Sequence, residues 1–322
     1  MKYANDHSQA FGQIVQESSQ KFNRRSPIGW VVLLVLVVLP LTALLIYRQN
    51  LSRVYSTLVH ETHVQEDPSQ REERIKKKEP LTVLLVATNY QQKGRLGNKE
   101  APVIQSMILS PQQEKMIQVT LDPQILARTF GEGQEQPLDM HYTKNGLASV
   151  VDAVETTYGL SVDFVYEFDL SEIRPFLDEV GSLNVTSPEA LSFSDFSLAE
   201  GEKRSLSPRQ VEEFLLPTDS DDHTYYERQQ EVLQQVIHHL LDRRRLLSLP
   251  DKLESTQSLM VTDLSWSKLS QMFWKGYWRC FSLVEQMDAR QVGEREHDDP
   301  DKIQAFKDEL TRRLTNTEGV KD

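Results

Sequence analysis

Acidic residues gather in one loop of this chain, at Asp219, Asp221 and Asp222. Carboxylates at this spacing could bind a divalent cation, although three acids in a loop are usually just solvated. His60 and His63 lie about one helical turn apart and could share a metal, but nothing else in the sequence completes a ligand set, so a surface pair is the simpler interpretation. The sequence has no glycine-rich phosphate loop, zinc spacing or nucleophile–base arrangement, so its motifs alone predict no catalytic residue and no metal site.

The charge balance restricts the partners that this chain can have. It holds 36 basic and 48 acidic residues among 322. Four basic and two acidic residues precede residue 48, so 32 basic and 46 acidic residues follow, a net charge of −14. Such a surface repels nucleic acid, which excludes DNA or RNA as partners and direct regulation of transcription as a function. The single cysteine, Cys280, excludes an internal disulfide, and we expect it to be buried apolar filler.

An uncharged and almost wholly apolar segment runs from residue 26 to residue 47. At about 1.5 Å per helical residue it would span roughly 30 Å of hydrocarbon, so the pattern predicts a transmembrane helix. A cleaved signal peptide is disfavoured, because 25 residues precede the run and its end lacks a small-residue cleavage site. We expect a single-pass protein of the cell membrane, with residues 1–25 as a cytoplasmic tail and residues 48–322 outside the cytoplasm.

The remainder predicts one folded domain on this anchor. Residues 48–79 are polar and indicate a stalk or linker, residues 80–285 a domain, and residues 286–322 a charged tail with a short helix at 299–314. Strands are predicted at 81–87, 103–109, 116–121, 162–168 and 183–185. Helices are predicted from an Asn145 cap to Gly159, over 171–180, from a Ser207 capping box to Leu216, and over 225–247 before Pro250. This order indicates an α/β fold with a mixed central sheet flanked by helices.

Three of the four tryptophans fall between residues 264 and 283. Trp266, Leu269, Met272 and Phe273 would form one apolar face of a helix, which Tyr277, Trp278 and Phe281 continue after Gly276. Packing of this face against the sheet is one interpretation, and a surface aromatic patch for a membrane interface or a partner is the other.

Several strings follow one another in an order that resembles a known family. They are LLVATNY, MILSPQQEKMIQVTLDP, GLASVVDAVETTYGLSVDFVYEFDLSEIRPFLDEVGSLNV, LSPRQVEEFLL, YYERQQEVLQQVI and MVTDLSWSKL. Together they resemble the successive blocks of the LytR-CpsA-Psr domain of Gram-positive bacteria, over roughly residues 80–270. The apolar segment also stands where that family has its membrane anchor.

The resemblance implies a particular chemistry. Members of this family take a glycopolymer from a polyprenyl-pyrophosphate carrier and join it to peptidoglycan through a phosphodiester. Arginines and a Mg²⁺ held by acids would neutralise the diphosphate as phosphorus is attacked, and an apolar groove would hold the prenyl tail.

The sequence departs from this pattern where the charged residues are expected. Asn89 stands where the family has an aspartate after a glycine and a threonine. Glu100 and Gln124 fall within the family's arginine-serine-aspartate and proline-arginine-aspartate strings, without an arginine or an aspartate at the matching positions. The family's later arginines fall near Leu216, Thr218 and Tyr225. Asp222, Arg228, Gln229 and Gln230 keep the expected residue types.

The retained residues allow two interpretations. Asn89, Asp222, Arg228 and Gln229 could be the remnant of a diphosphate site at a helix start, where the helix dipole favours anions. Alternatively, Arg228 and Gln229 form a structural network with Asp222 that takes no ligand. The poverty of cations favours a degenerate binding or regulatory module in cell-wall glycopolymer assembly; the alternative is an active phosphotransferase. We expect the membrane and either a polyprenyl-linked glycopolymer or an active relative as partners, and no cofactor except Mg²⁺ in the active alternative.

Overall fold

The computed structural model describes residues 45–60, 68–90, 98–130, 135–218, 222–241, 249–289 and 300–315. The chain divides into two units, Met1–Ser52 and Arg53–Asp322. Residues 45–57 are helical. The tail predicted at 1–25 lies outside the described residues, as does the membrane span predicted at 26–47 except for its last three positions. Among the residues that are described, no helix has the length and apolar character needed to cross a bilayer.

A six-stranded mixed sheet forms the centre of the second unit. The large strands are β1 (Leu81–Tyr90), β2 (Lys99–Ser110), β3 (Lys115–Thr120), β6 (Phe164–Asp169), β11 (Met260–Thr262) and β12 (Leu283–Asp288), in the order β11-β6-β1-β2-β3-β12. β1 pairs antiparallel with β2 and parallel with β6, while β3 pairs antiparallel with β2 and parallel with β12. β1 is buried over nearly its whole length, as its continuous apolar run predicts. The mixed central sheet expected from the sequence is confirmed.

Three small two-stranded sheets decorate this core. They pair β4 (Leu126–Ala127) with β5 (Gln136–Pro137), β7 (Leu183–Thr186) with β10 (Lys203–Leu206), and β8 (Leu191–Ser192) with β9 (Ser197–Leu198). β2 and β3, near the strands predicted at 103–109 and 116–121, form an antiparallel hairpin, and Glu114 adopts a positive φ of 51° in the turn between them.

Helices cover both faces of the central sheet. They are α1 (Pro68–Lys77), α2 (His141–Asn145), α3 (Leu147–Tyr158), α4 (Arg174–Val180), α5 (Pro208–Phe214), α6 (Asp222–Leu241), α7 (Leu249–Ser255), α8 (Trp266–Lys275) and α9 (Pro300–Thr315). On one face, α3 and α9 pack with Leu84 and Val86 of β1 in a shared core. On the other face, α1 and α8 pack with Leu81 and Val83. α6 contacts β7, and it also contacts β1 and β2 of the central sheet.

Two predicted helix boundaries are wrong. Asn145 ends the short helix α2 instead of capping α3, because Gly146 adopts a φ of 68° and separates the two helices. Gly159 does end α3 in the left-handed conformation, as predicted. The helix predicted from residue 171 begins at Arg174, after a 3₁₀ turn at Leu170–Glu172, with a proline in its first turn.

The long helix predicted at 225–247 begins earlier, at Asp222, and is described to Leu241. Its predicted continuation to residue 247 lies in a segment outside the described residues. Pro250 belongs to the first turn of α7, where proline is tolerated because that turn lacks backbone hydrogen-bond partners for its N–H groups. The capping box at Ser207 is present, with Gln210 as its partner, and α5 ends at Phe214.

Candidate functional site

Asn89 and Gln229 meet at the C-terminal end of β1, although 140 residues separate them in the chain. The side-chain amide of Asn89 donates to Gln229 Oε1 at 3.0 Å and to the carbonyl of Leu215 at 3.2 Å. Gln229 Nε2 donates to the same carbonyl at 2.7 Å. Both side chains are almost wholly buried. β1, the end of α5 and the first half of α6 are therefore tied together by a closed set of neutral hydrogen bonds.

Arg228 lies beside this network and is fully buried. Its Nη1 donates to the carbonyls of Phe214 and Leu216, at 2.8 and 3.0 Å, and its Nη2 donates to Thr218 Oγ1 at 3.2 Å. The guanidinium also lies 5.8 Å from the ring centroids of Phe214 and Tyr225. Burial lowers the pKa of Arg228 below its ordinary value, an effect that the charge of Glu189 opposes. Arg228 thus holds the C-terminal end of α5, where the helix dipole favours a cation.

Three of the four residues predicted for a remnant site are therefore neighbours: Asn89, Arg228 and Gln229. Asp222 is the first residue of α6, but its side chain lies outside the described part of the chain. Asp219, Asp221 and His63 also lie outside it. The network expected between Arg228 and Asp222 therefore stays a prediction. The same holds for a cation site in the acidic loop at Asp219, Asp221 and Asp222, and for a metal shared by His60 and His63.

Acidic and neutral side chains surround this position. Glu100 is the cross-strand partner of Asn89 and is buried. Asp139 is also buried, and its Oδ2 accepts hydrogen bonds from Gln124 Nε2 at 2.7 Å and from the Tyr226 hydroxyl at 2.8 Å.

The charges of this region act on Tyr225, which lies beside them in α6. Burial, the main cause, together with the negative charges of Glu100 and Asp139, raises the pKa of the Tyr225 hydroxyl, against the lowering effect of Arg228. The hydroxyl therefore stays protonated at neutral pH. In the part of the chain that the structure describes, Glu100 and Asp139 therefore place buried carboxyl groups near this end of β1.

A second polar cluster lies at the same end of the sheet, on its opposite face, and the sequence analysis did not find it. Lys99 Nζ lies 2.7 Å from Asp169 Oδ2 and 3.7 Å from Glu167 Oε1. Tyr142 donates to Glu167 Oε1 at 2.6 Å, and the ammonium of Lys99 lies 5.3 Å from the Tyr142 ring centroid. Burial and the hydrogen bond to Glu167 raise the pKa of Tyr142. The alternation of β6, which places Glu167 and Asp169 on one face, was the available signal.

The described residues do not fit the Mg²⁺ that the resemblance implies. Within those ranges, no three His, Cys, Asp or Glu side chains gather closely enough to hold a metal ion. One oxygen of Asp139 accepts two hydrogen bonds, and Asn89 presents its amide donor to carbonyl oxygens. Hard cations need converging oxygen ligands, which this arrangement does not supply.

The family model described as the LytR_cpsA_psr family matches residues 47–297. This chain belongs to that family. Among the curated relatives of this LytR-CpsA-Psr chain are two called polyisoprenyl-teichoic acid--peptidoglycan teichoic acid transferase TagU. The one from Bacillus subtilis is 22% identical over 215 residues, 66% of this chain and 69% of the relative. The one from Oceanobacillus iheyensis is 22% identical over 270 residues, 80% of this chain and 83% of the relative.

A solved structure confirms the fold. The crystal structure of TagV from B. subtilis superposes on this LytR-CpsA-Psr chain with a TM-score of 0.56 at 15% identity, covering 74% of this chain and 98% of TagV. At this identity the likeness shows a shared α/β fold alone. The family resemblance inferred from the ordered sequence strings is confirmed.

The positions at which this LytR-CpsA-Psr chain departs from the family pattern converge in space. Asn89 and Glu100 pair across β1 and β2, and Gln124 reaches the same region through Asp139 and Tyr226. The order of the sequence strings alone could not show that these positions are connected in the fold.

Proposed function

We propose that this chain is a membrane-anchored binding or regulatory module of cell-wall glycopolymer assembly that has lost the transfer chemistry. The TagU relatives are transferases that act on polyisoprenyl-teichoic acid and peptidoglycan, as their name states. For this chain we infer a polyprenyl-linked glycopolymer or an active relative as the partner. The family match and the shared fold support the substrate class, and the apolar segment at 26–47 supports a single-pass anchor with the domain outside the cytoplasm.

The single observation that supports the proposed loss of catalysis is that the Arg228 guanidinium donates its hydrogen bonds to protein oxygens. A breaking phosphoanhydride needs cations whose N–H groups point at phosphate oxygens. Arg228 instead donates both Nη1 hydrogens and one Nη2 hydrogen to protein oxygens. Lys99, the other cation at this end of β1 among the described residues, faces two carboxylates.

The magnitude of this loss is large. A hydrogen bond between a charged donor and its acceptor contributes about 1.5–3 kcal/mol, so the absence of several phosphate contacts removes many decades of rate. Glu100 adds an opposing effect, because a buried carboxylate near a diphosphate raises its energy further.

One observation favours the second candidate, an active phosphotransferase. The Nε atom of Arg228 is buried without a hydrogen-bond partner among the described residues. A buried N–H of a guanidinium is costly to leave unpaired, and a phosphate oxygen would satisfy it. An active enzyme would therefore depend on Arg228.

The experiment that separates the two functions measures cleavage of the carrier. The full-length chain, in detergent micelles with Mg²⁺, a polyprenyl-pyrophosphate-linked saccharide and peptidoglycan, should release no polyprenyl phosphate above the level of a sample without protein. TagU assayed in parallel is the positive control. Turnover above that of the sample without protein would by itself establish the active alternative. Its loss in Arg228→Ala and retention in the exposed-site control Arg209→Ala would assign it to Arg228, provided that circular dichroism shows Arg228→Ala to be folded at the assay temperature.

A second measurement tests whether the ligand is still bound. Mass spectrometry of lipid extracted from the purified full-length chain should show a polyprenyl species in about stoichiometric amount if the chain holds the carrier. If this lipid is absent while an active relative co-purifies with the chain, the partner is the relative and the inference of a carrier ligand fails.

A further inference from the structure

An aromatic surface lies on α8 and the 3₁₀ turn Tyr277–Ser282 that follows it. Phe273, Trp274, Trp278 and Phe281 are 54, 77, 50 and 45% exposed, and together we call them the aromatic patch. The rings of Phe273 and Trp274 lie 5.5 Å apart, and those of Phe273 and Trp278 lie 6.4 Å apart. The rings of Phe273, Trp274 and Trp278 therefore form one contiguous surface, and Phe281 is exposed in the turn that follows. Large aromatic residues on a solvated domain rarely form such a surface without a partner.

The hydrophobic core under this segment is formed by other side chains than those of the aromatic patch. Met272, Tyr277 and Cys280 point to the sheet and are buried in the same segment. Leu283 and Val284, at the start of the edge strand β12, extend the exposed apolar surface. Of the two interpretations of this segment, packing against the sheet holds for Met272 and Tyr277, whereas Phe273, Trp278 and Phe281 are exposed.

The charge around the aromatic patch has the opposite sign to that of the domain. Residues 266–282 hold Lys268, Lys275 and Arg279 and no acidic residue. α1, which packs against α8, and the three residues after it hold five basic and three acidic residues, whereas residues 48–322 carry a net charge of −14. The guanidinium of Arg279 lies 5.5 Å from the centroid of the Trp278 ring. Cations beside exposed tryptophans are typical of surfaces that meet anionic lipid headgroups.

The chain reaches α8 soon after its apolar segment. The Tyr55 ring lies 5.6 Å from that of Trp266, the first residue of α8, and the Tyr55 hydroxyl donates to the carbonyl of Leu264 at 3.0 Å. Seven residues lie between Tyr47, the last residue of the apolar segment, and Tyr55. In the sequence, this contact with α8 therefore follows closely after the apolar segment.

We propose that the aromatic patch inserts into the headgroup region of an anionic phospholipid bilayer and holds the domain against the membrane surface. This inference rests on the membrane anchor of the proposed function. Tryptophan and phenylalanine bury apolar area at the boundary of the acyl chains, while Lys275 faces the phosphates. Arg279 pairs with Glu114 at 2.8 Å, so its guanidinium contributes mainly by its position beside the Trp278 ring.

The test places a single tryptophan at a chosen depth. The four native tryptophans, Trp30, Trp266, Trp274 and Trp278, are replaced by phenylalanine except for one, and each full-length variant is reconstituted in nanodiscs of anionic phospholipid with brominated acyl chains. Bromine quenches indole fluorescence on contact, so emission from Trp274 or Trp278 should fall by about half or more relative to unbrominated lipid. Replacing the anionic lipid by a zwitterionic one should reduce this quenching.

The matched control is Phe130→Trp in a background without other tryptophans. Phe130 is 89% exposed and its backbone N–H is bonded to Asp152 of α3, on the opposite face of the sheet, so its emission should not respond to bromine. The variant that keeps only Trp30 reports on the apolar segment independently.

The outcomes distinguish the two proposals. Quenching at Trp30 but not at Trp274 or Trp278 would leave the anchor standing and overturn the proposal for the aromatic patch. No quenching at Trp30 would overturn the anchor itself. A patch shielded by a second copy would give unquenched Trp274 together with a dimer by mass photometry, and this result would also refute the bilayer as the occupant. Equal quenching at residue 130 would show non-specific adsorption and refute the proposal as well.

Discussion

Replacement of Arg228 by alanine should destabilise the fold more than it affects any ligand. The side chain is fully buried and supplies three hydrogen bonds to the segment that follows α5. Its removal leaves the carbonyls of Phe214 and Leu216 without their donor and opens a cavity between two aromatic rings. The structural interpretation of Arg228 depends on this cost being large.

The magnitude follows from these contacts. Each hydrogen bond from a charged donor contributes about 1.5–3 kcal/mol, and the release of the cation from a buried site returns part of the sum. We expect a net loss of about 3–5 kcal/mol in the free energy of unfolding, which lowers the Tm of a domain of this size by roughly 10 °C. The Tm of Arg228→Lys should lie between those of the parent chain and of Arg228→Ala, because an ammonium keeps the charge but cannot reach all three acceptors.

Thermal unfolding of the full-length chain, followed by circular dichroism in detergent, measures this difference. Arg209→Ala is the matched control, since Arg209 is 70% exposed and pairs at the surface with Glu213 and Asp195. A surface pair contributes about 0.2–1 kcal/mol, so that variant should unfold within about 2 °C of the parent chain. If Arg228→Ala unfolds as late as Arg209→Ala, the guanidinium is not structural and is free for a ligand.

Three further predictions concern Asn89, Gly159 and Cys280. Asn89→Asp, which introduces the acid expected from the family pattern, should lower the free energy of unfolding by about 3 kcal/mol, because a carboxylate would face two buried acceptors. An unchanged midpoint of urea unfolding would contradict this prediction. Gly159→Ala should lower the free energy of unfolding by about 1–2 kcal/mol, because Gly159 has a φ of 66° that alanine rarely adopts. The loss should exceed that of Gly201→Ala, because only at Gly159 would the new Cβ lie close to Lys307, at 3.1 Å. Equal losses of Tm in the two variants would exclude an effect of this contact. Burial raises the pKa of the Cys280 thiol to about 11, so its contribution to stability is complete below about pH 9 and lost as pH rises to about 11. The free energy of unfolding should therefore fall less steeply with pH over that window in Cys280→Ser than in the parent chain.

The central sheet was predictable because its strands are local patterns. The apolar run of β1 and the hairpin between β2 and β3 are set by neighbours in the sequence, and the capping box at Ser207 is a four-residue motif. The wrong boundary at Asn145 has a different origin: the sequence could not show that Gly146 would take a positive φ and interrupt the helix. The exposure of Phe273 was equally hidden, since it depends on which face of α8 packs against the sheet, and Met272 rather than Phe273 lies on that face.

The site was predictable only in part. The ordered strings identified Asn89, Arg228 and Gln229, which the fold brings together. The sequence could not show what these side chains bond to, because their partners are backbone carbonyls at the end of α5 and carry no side-chain signal. Lys99 and Tyr142 were missed for a related reason: they converge on β6 from separate elements, and no motif joins them.

Asn89, Gln229 and Arg228 bond to three consecutive carbonyls at the end of α5. The carbonyl of Leu215 accepts from both Asn89 and Gln229, and the carbonyls on either side of it accept from Arg228. A carboxylate at position 89 would be repelled by this row of oxygens, which become acceptable neighbours once the residue is an amide that can donate. The end of α5 is therefore held by Asn89, Gln229 and Arg228 together. If the proposed loss of catalysis is correct, we expect that a single acid introduced at position 89 would not create a diphosphate site, because the row of carbonyls would first have to move away and lose its donors.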